Sequence, residues 1–179
     1  MAQEKVKEAI TAAAERLEKS PFMAMSLVRA KTEWIEGLCC SAEVRDFPPM
    51  IVDEPPELGG TNAAPNPVEL VLVALGTCQE IMYAAHAAVM GIQLDSVSCT
   101  LKGTLDMRGL LGVDPDIEAG FDEVMFETVL ESPAPEEELI ELARAVEARC
   151  PVLDSLQRAV EVSGTVTANG TALDLDAVE

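Results

Sequence analysis

The chain of 179 residues has 32 acidic and 12 basic side chains, and its net charge of −20 opposes binding to the phosphate backbone of a nucleic acid. Hydrophobic residues make up 49% of the chain, which is enough for one well-buried core. The chain opens without a basic end followed by an apolar block, so no secretory signal is predicted.

The first third of the chain predicts one helix followed by strands and a loop. Apolar residues recur at helical spacing from Glu4 to Lys19 and indicate an amphipathic helix in an N-terminal extension, residues 1–30, ahead of a main domain, residues 31–179. Residues Trp34 to Phe47 alternate between apolar and polar, which predicts a single strand, and Met50 to Asp53 predict another. A loop rich in proline and glycine then runs from Pro55 to Gly60.

A long apolar helix is predicted to begin after Asn66. Asn66 caps it, proline occupies the first helical position, and Glu69 completes a capping box. The helix should run to about Met90 and end at Gly91. It is long enough to span a bilayer, but Glu80 near its middle would be costly in lipid, so we expect a buried helix of a soluble protein.

The remainder of the chain predicts strands, two helices and a last strand. The predicted strands are 94–107, 121–130 and 160–167, the helices are 135–149 and a short one ending near 158, and a loop covers 109–120. This order indicates an α+β fold with antiparallel sheets rather than alternating βαβ units. One chain would struggle to cover the long apolar helix, so an intertwined homodimer with two such helices packed together is expected.

Two of the five cysteines, Cys78 in the long helix and Cys150 before Pro151, are candidates for a reactive pair. They are too far apart in sequence for a zinc knuckle or a redox turn, so they can cooperate only if the fold brings them together.

An odd number of cysteines at irregular spacing fits a reducing compartment, and the cytoplasm is the expected location. Cys78, Cys150 and His86 lack a recognisable ligand spacing, so neither a metal nor a cofactor is expected.

Four short motifs in the segment Val44 to Gly164 resemble the family of osmotically inducible protein C (OsmC) and the organic hydroperoxide resistance proteins (Ohr). They occur in the family's order, with both cysteines present: Pro56-Glu57-Leu58-Gly59-Gly60, Asn66-Pro67-Val68-Glu69-Leu70, Ala74-Leu75-Gly76-Thr77-Cys78 and Cys150-Pro151-Val152. The resemblance implies an interlocked α+β homodimer, with active sites at the subunit interface, that reduces organic hydroperoxides. It also implies that Cys78 is the peroxidatic cysteine and Cys150 the resolving cysteine, and it suggests a lipoyl-type dithiol as reductant.

The chemistry of a thiol peroxidase adds a requirement for a cation. Cys78 must ionise to attack a peroxide, yet it lies about three turns into an apolar helix, where its pKa would be raised. The family pattern assigns the cation to Arg45, held by Glu57, although the sequence around Arg45 differs from that of Ohr and Arg29 is an alternative.

Two other functions are compatible with the sequence. A non-enzymatic, redox-responsive dimer could hold an apolar ligand in its interface, and the extra N-terminal helix could close the site to peroxides. A thiol-dependent transferase or hydrolase is less well supported, because no Ser/His/Asp set or second base is visible.

Overall fold

The computed structural model describes residues 2–174, which form a mixed assembly of helices and antiparallel strands. Its helices are α1 (Ala2–Lys19), α2 (Pro67–Met90), α3 (Met107–Leu110), α4 (Glu136–Glu147) and α5 (Pro151–Gln157). Its strands are β1 (Lys31–Glu36), β2 (Cys39–Glu43), β3 (Met50–Val52), β4 (Ser96–Leu105), β5 (Phe121–Glu131), β6 (Val166–Ala168) and β7 (Thr171–Leu173). Single 3-10 turns occupy Pro21–Met23 and Pro56–Leu58. The α+β class predicted from the sequence is confirmed.

Helix α2 has the predicted ends and organises the rest of the chain. The Asn66 side chain accepts from the backbone N–H of Glu69 at 2.8 Å, and the Glu69 carboxylate accepts from the backbone N–H of Asn66 at 2.8 Å. Gly91 ends the helix with a left-handed φ of 76°, a conformation that glycine adopts without steric cost. Both predicted helix signals are therefore confirmed.

Only one face of α2 is covered by its own chain. The buried residues recur at helical spacing, and the long antiparallel pair β4–β5 packs on the helix together with α1, α4 and α5. Outside that face, Val73 and Ile81 are 52% and 66% exposed. One chain thus leaves part of this apolar helix uncovered, as its composition predicted.

The core consists of two neighbouring clusters of buried residues. The first joins α2 to α4 and contains Tyr83, Ala87, Ile92, Leu142 and Val146. The second joins α2 to α5 and contains Leu75, Cys150 and Leu153. Because α4 and α5 are consecutive, the turn between them lies where the two clusters meet.

A three-stranded antiparallel sheet, ordered β1-β2-β3, corrects the prediction of one strand from Trp34 to Phe47. That prediction is wrong because the chain reverses at Gly37, which has a left-handed φ of 53°. The Trp34 indole N–H donates to the Gly37 carbonyl across this turn at 2.9 Å. This sheet packs little against the helices, and Trp34 is 72% exposed.

The predicted strand from Val160 to Thr167 is also wrong. Residues 160–165 are not in a strand, and the chain instead forms the short hairpin β6–β7, whose first strand begins at Val166. Asn169 and Gly170 at its turn have φ angles of 53° and 82°, as a two-residue hairpin turn of this handedness requires. Local turn chemistry therefore overrides the apolar alternation.

Helix α1 of the predicted extension lies along α2. It contacts α2, and the Gln3 side-chain amide donates to the Ile92 carbonyl at 2.6 Å. The helix itself is confirmed, whereas the division of the chain at residue 30 stays a prediction.

Candidate active site

The fold brings together the two cysteines that the sequence left 72 residues apart. Cys150 Sγ donates to Cys78 Sγ at 3.3 Å. Cys78 lies in the middle of α2, while Cys150 occupies the position before Pro151, which begins α5. The Cys150 backbone N–H donates to the Val146 carbonyl at 2.9 Å, so the end of α4 sets the position of this cysteine. Because Cys150 is 0% exposed and Cys78 is half-buried, an oxidant would reach Cys78 first.

The surroundings of Cys78 disfavour its thiolate within one chain. Burial is the main reason why the pKa of Cys78 is raised, and the neighbouring Cys150 raises it further. A backbone hydrogen bond from Val152, in the first turn of α5, acts in the opposite direction. No arginine is among the groups in residues 2–174 that shift this pKa.

The two other predicted site residues lie on exposed parts of the chain. Arg45 follows β2 with a left-handed φ of 54°, and its guanidinium lies 4.6 Å from the centroid of the Phe47 ring. Glu57 is exposed in the 3-10 turn Pro56–Leu58. Across residues 2–174, no ion pair joins Arg45 to Glu57, and the alternative Arg29 is exposed in a segment without regular structure. The roles of these residues stay predictions.

A buried aspartate that the sequence analysis did not identify holds the loop carrying Glu57. Asp53 is 1% exposed and accepts hydrogen bonds from the backbone N–H groups of Glu54, Thr61 and Ala63 and from the Thr61 hydroxyl. These bonds lower the pKa of Asp53 to about 2, and the bond from the Thr61 hydroxyl has the largest effect. Asp53 therefore fixes both ends of this loop beside the start of α2.

A second residue missed from the sequence is Gln79, directly after Cys78. It is 0% exposed, and within residues 2–174 neither its amide nitrogen nor its amide oxygen has a hydrogen-bond partner. Buried amides are almost always hydrogen-bonded, so this one calls for an explanation. The sequence did contain a signal, because Gln79 interrupts the apolar stripe between Leu75 and Tyr83.

A cavity with apolar and polar walls adjoins the cluster that contains Cys150. It has a volume of about 400 Å³, and Leu75 and Leu153 belong to both the cavity wall and that cluster. Phe126 and Val124 of β5 line it as well, with Asp122 and Glu123 at its polar side. The cavity is suited to an apolar molecule with one polar end.

The other candidate side chains show no reactive arrangement among the described residues. Burial and the nearby Arg149 lower the pKa of His86, so this histidine is neutral near pH 7. Cys99 contacts the Thr128 hydroxyl at 3.5 Å on the β4–β5 pair. Residues 2–174 contain no cluster of three or more His, Cys, Asp or Glu side chains that could hold a metal ion.

Solved structures provide close matches to this fold at low sequence identity. An OsmC-like protein from Mycoplasma pneumoniae superimposes with a TM-score of 0.64 at 20% identity, over 74% of this chain and 88% of the other. An organic hydroperoxide resistance protein OsmC from Legionella pneumophila gives 0.57 at 25% identity, over 75% and 91%. One from Elizabethkingia anophelis gives 0.57 at 19% identity, also over 75% and 91%.

The sequence itself provides the family assignment. No curated protein matches the chain. The family model described as OsmC-like protein matches residues 60–164, more than half of the chain and within the segment whose motifs suggested the resemblance. The chain therefore belongs to the OsmC-like protein family, whose members with this fold include proteins named for organic hydroperoxide resistance.

Proposed function

We propose that this protein is a thiol peroxidase that reduces organic hydroperoxides, with Cys78 as the peroxidatic cysteine and Cys150 as the resolving cysteine. The observation that carries the proposal is the 3.3 Å distance between two sulfurs that lie 72 residues apart in sequence. Of the two, the partly exposed Cys78 is suited to react with the oxidant first, and the buried Cys150 is suited to react with the oxidised Cys78.

The reaction balances with two thiols and one hydroperoxide. The Cys78 thiolate attacks one peroxide oxygen, the O–O bond breaks, and the alcohol leaves after taking up a proton. Cys78 is then a sulfenic acid, which Cys150 attacks to form the disulfide and release water. A dithiol reductant, for which we propose a lipoyl-type molecule, returns both cysteines to thiols and is itself oxidised to a disulfide. The apolar wall of the cavity, at Leu75 and Leu153, suits the organic part of the substrate.

The cation that Cys78 needs is proposed to come from a second copy of the chain. Arg45 and Glu57 are exposed, and the three-stranded sheet that precedes the Glu57 loop has little packing against its own helices. In an intertwined homodimer, this sheet would cover the exposed face of α2. Arg45, oriented by Glu57, would then stabilise the thiolate.

The arginine assignment is tested by measuring the pKa of Cys78 in variants. We expect Arg45→Met to raise this pKa and to slow peroxide consumption by about tenfold or more, since a lost charge-assisted contact is worth at least one pKa unit. Arg29→Met is the matched control. If Arg29→Met has this effect and Arg45→Met does not, the cation is Arg29.

A second candidate function is a non-enzymatic dimer that binds an apolar ligand. The observation that favours it is the raised pKa of Cys78, which in one chain makes the thiol less reactive than a free cysteine. This function would use the same cavity without the same chemistry.

One experiment separates the two functions. The protein is treated with one equivalent of cumene hydroperoxide, thiols are blocked, and intact mass and peptide maps are recorded. A peroxidase forms the Cys78–Cys150 disulfide rapidly, Cys78→Ser abolishes consumption, and Cys150→Ser stops after one turnover without a disulfide. Cys99→Ser is the matched control and should behave as wild type. Full consumption by Cys78→Ser, or no change at Cys78 in wild type, would reject the peroxidase.

A further inference from the structure

The unpartnered amide of Gln79 suggests a role in the second half of the proposed reaction, and this inference rests on the proposed function. A buried amide without a partner costs stability that an apolar side chain of the same shape would not. Because Gln79 is 0% exposed within its own chain, a second subunit cannot reach it. A partner for the amide must therefore come from the interior around it.

The helix lattice places Gln79 on the part of the α2 surface against which the Cys150 cluster packs. Residues 75, 78, 79 and 82 of α2 are the four corners of one hole on the helix surface, the arrangement that receives a side chain from a packed neighbour. Cys150 packs in the cluster with Leu75, and Cys78 and Met82 pack against that cluster. Cys150 contacts one corner directly, Cys78, and shares its cluster with the corners Leu75 and Met82. Gln79 is the fourth corner, and in the dithiol form its amide makes no hydrogen bond to the Cys150 sulfur.

Formation of the disulfide places a negative charge on the Cys150 sulfur, which an amide N–H can stabilise. The Cys150 thiol must lose its proton before its sulfur attacks the Cys78 sulfur. The S–S bond then forms as the S–OH bond of Cys78 breaks, and the hydroxide combines with the proton from Cys150 and leaves as water. The negative charge on Cys150 then lies in a cluster of leucines, where a charge without a hydrogen-bond donor is costly. Gln79 Nε2 is a donor without another partner.

We propose that Gln79 is a catalytic residue of the disulfide-forming step: its side-chain N–H donates to the Cys150 sulfur while that sulfur attacks Cys78. The amide is retained at a cost in stability because it stabilises a charge that exists only during this step. Gln79 has no part in the attack of Cys78 on the peroxide, since Cys78 bears the charge in that step.

The ionisable groups around this pair do not supply the same donor. The charged or titratable side chains on the elements packed here are Glu69, Cys78, Glu80, Tyr83 and His86 of α2, Cys99 and Lys102 of β4, Asp122, Glu123, Glu127 and Glu131 of β5, Glu136, Glu137, Glu138, Glu141, Arg144 and Glu147 of α4, and Arg149, Asp154 and Arg158 at α5. Lys102, Arg144 and Arg158 are exposed. Burial raises the pKa of Tyr83 and lowers that of His86, so both are neutral near pH 7. Arg149 is exposed and directs its guanidinium to the Ala145 carbonyl at 3.4 Å.

The test uses diamide as oxidant, so that it does not depend on peroxide chemistry. The Cys78 thiolate adds to the N=N bond of diamide, and Cys150 then displaces the hydrazine from the Cys78 sulfur to form the disulfide. With excess diamide the second step is first order, and its rate is followed by acid quench, thiol blocking and mass spectrometry over about pH 6 to 9. The variant is Gln79→Leu, and the matched control is Met82→Leu, which alters another corner of the same hole.

We expect Gln79→Leu to slow disulfide formation by about tenfold near neutral pH and to move the midpoint of its pH profile about one unit higher. Its melting temperature should equal or exceed that of wild type, because an unpaired buried amide has been removed. Met82→Leu should leave the midpoint unchanged. Gln79→Met serves as a second apolar variant if Gln79→Leu does not fold.

An unchanged midpoint in the Gln79 variants, or a wild type that forms no disulfide with diamide, would overturn the inference. A slower reaction shared equally by Met82→Leu would also overturn it, because that result would indicate a packing role. If wild type forms the disulfide with diamide but ignores hydroperoxides, the proposed function fails while the role of Gln79 in disulfide formation is still decided by the pH profile.

Discussion

Oxidation of the Cys78–Cys150 pair should stabilise the folded chain strongly. The two sulfurs are 3.3 Å apart in the dithiol form, so a bond of about 2.05 Å requires an approach of roughly 1.3 Å. The bond would close a loop of 72 residues, for which the loss of chain entropy in the unfolded state corresponds to about 4 kcal/mol. For a chain of this size, that gain raises the melting temperature by about 8 to 16 °C.

The assay compares thermal unfolding of the reduced and diamide-oxidised forms by circular dichroism. Cys150→Ser treated in the same way is the control and should show no increase. A disulfide mapped to Cys78 and Cys150 that leaves the melting temperature unchanged or lowers it would refute the reasoning. In that case the fold would resist the small approach of the two sulfurs, and the strained disulfide would be easily reduced.

Four further changes test other parts of the structure. Asp53→Asn should lower the melting temperature at pH 7, and because the pKa of Asp53 is lowered to about 2, the difference from wild type should shrink as the pH falls from about 4 towards 2. Gly60→Ala should cost about 3 kcal/mol or more in unfolding by denaturant, since a Cβ at this position would lie 1.8 Å from the Glu54 carbonyl oxygen, whereas Gly120→Ala meets open space and should be nearly neutral. Leu142→Ala removes a fully buried side chain and should cost about 2 to 5 kcal/mol, with diamide still forming the disulfide. Ile81→Asp places a charge on the exposed face of α2 and should convert a dimer to monomers in sedimentation experiments if that face is the subunit interface.

Local signals in the sequence predicted the structure correctly wherever a side chain hydrogen-bonds to the backbone within one turn of itself. Asn66, Glu69 and Gly91 fixed the ends of α2 because caps depend on residues within one turn. The apolar alternation from Trp34 led to the wrong prediction of a single strand, because the alternation continues through a chain reversal at Gly37. A glycine within an alternating run is a weak signal compared with ten flanking residues.

The sequence predicted which cysteines form the candidate site, but it did not predict the hydrogen bonding of the residues around them. Motifs placed Cys78 and Cys150 on their elements, and the structure then brought the two sulfurs together. The isolation of Gln79 could not be predicted, because whether a buried amide has a partner depends on side chains that are distant in sequence. The same holds for Asp53, whose partners lie up to ten residues further along the chain.

The raised pKa of Cys78 and the exposed apolar surfaces have one physical explanation if the chain forms half of a symmetric assembly. Within one chain, nothing among the described residues offsets the burial of Cys78 with a positive charge. The same chain leaves Ile81 and Trp34 exposed and a three-stranded sheet without a covering layer, which is unfavourable for an isolated subunit. A second copy that covers these surfaces would also bring exposed arginines towards the thiol. Activation of Cys78 would then be coupled to assembly, and a separated subunit would keep the sulfur pair but lose the reactive thiolate.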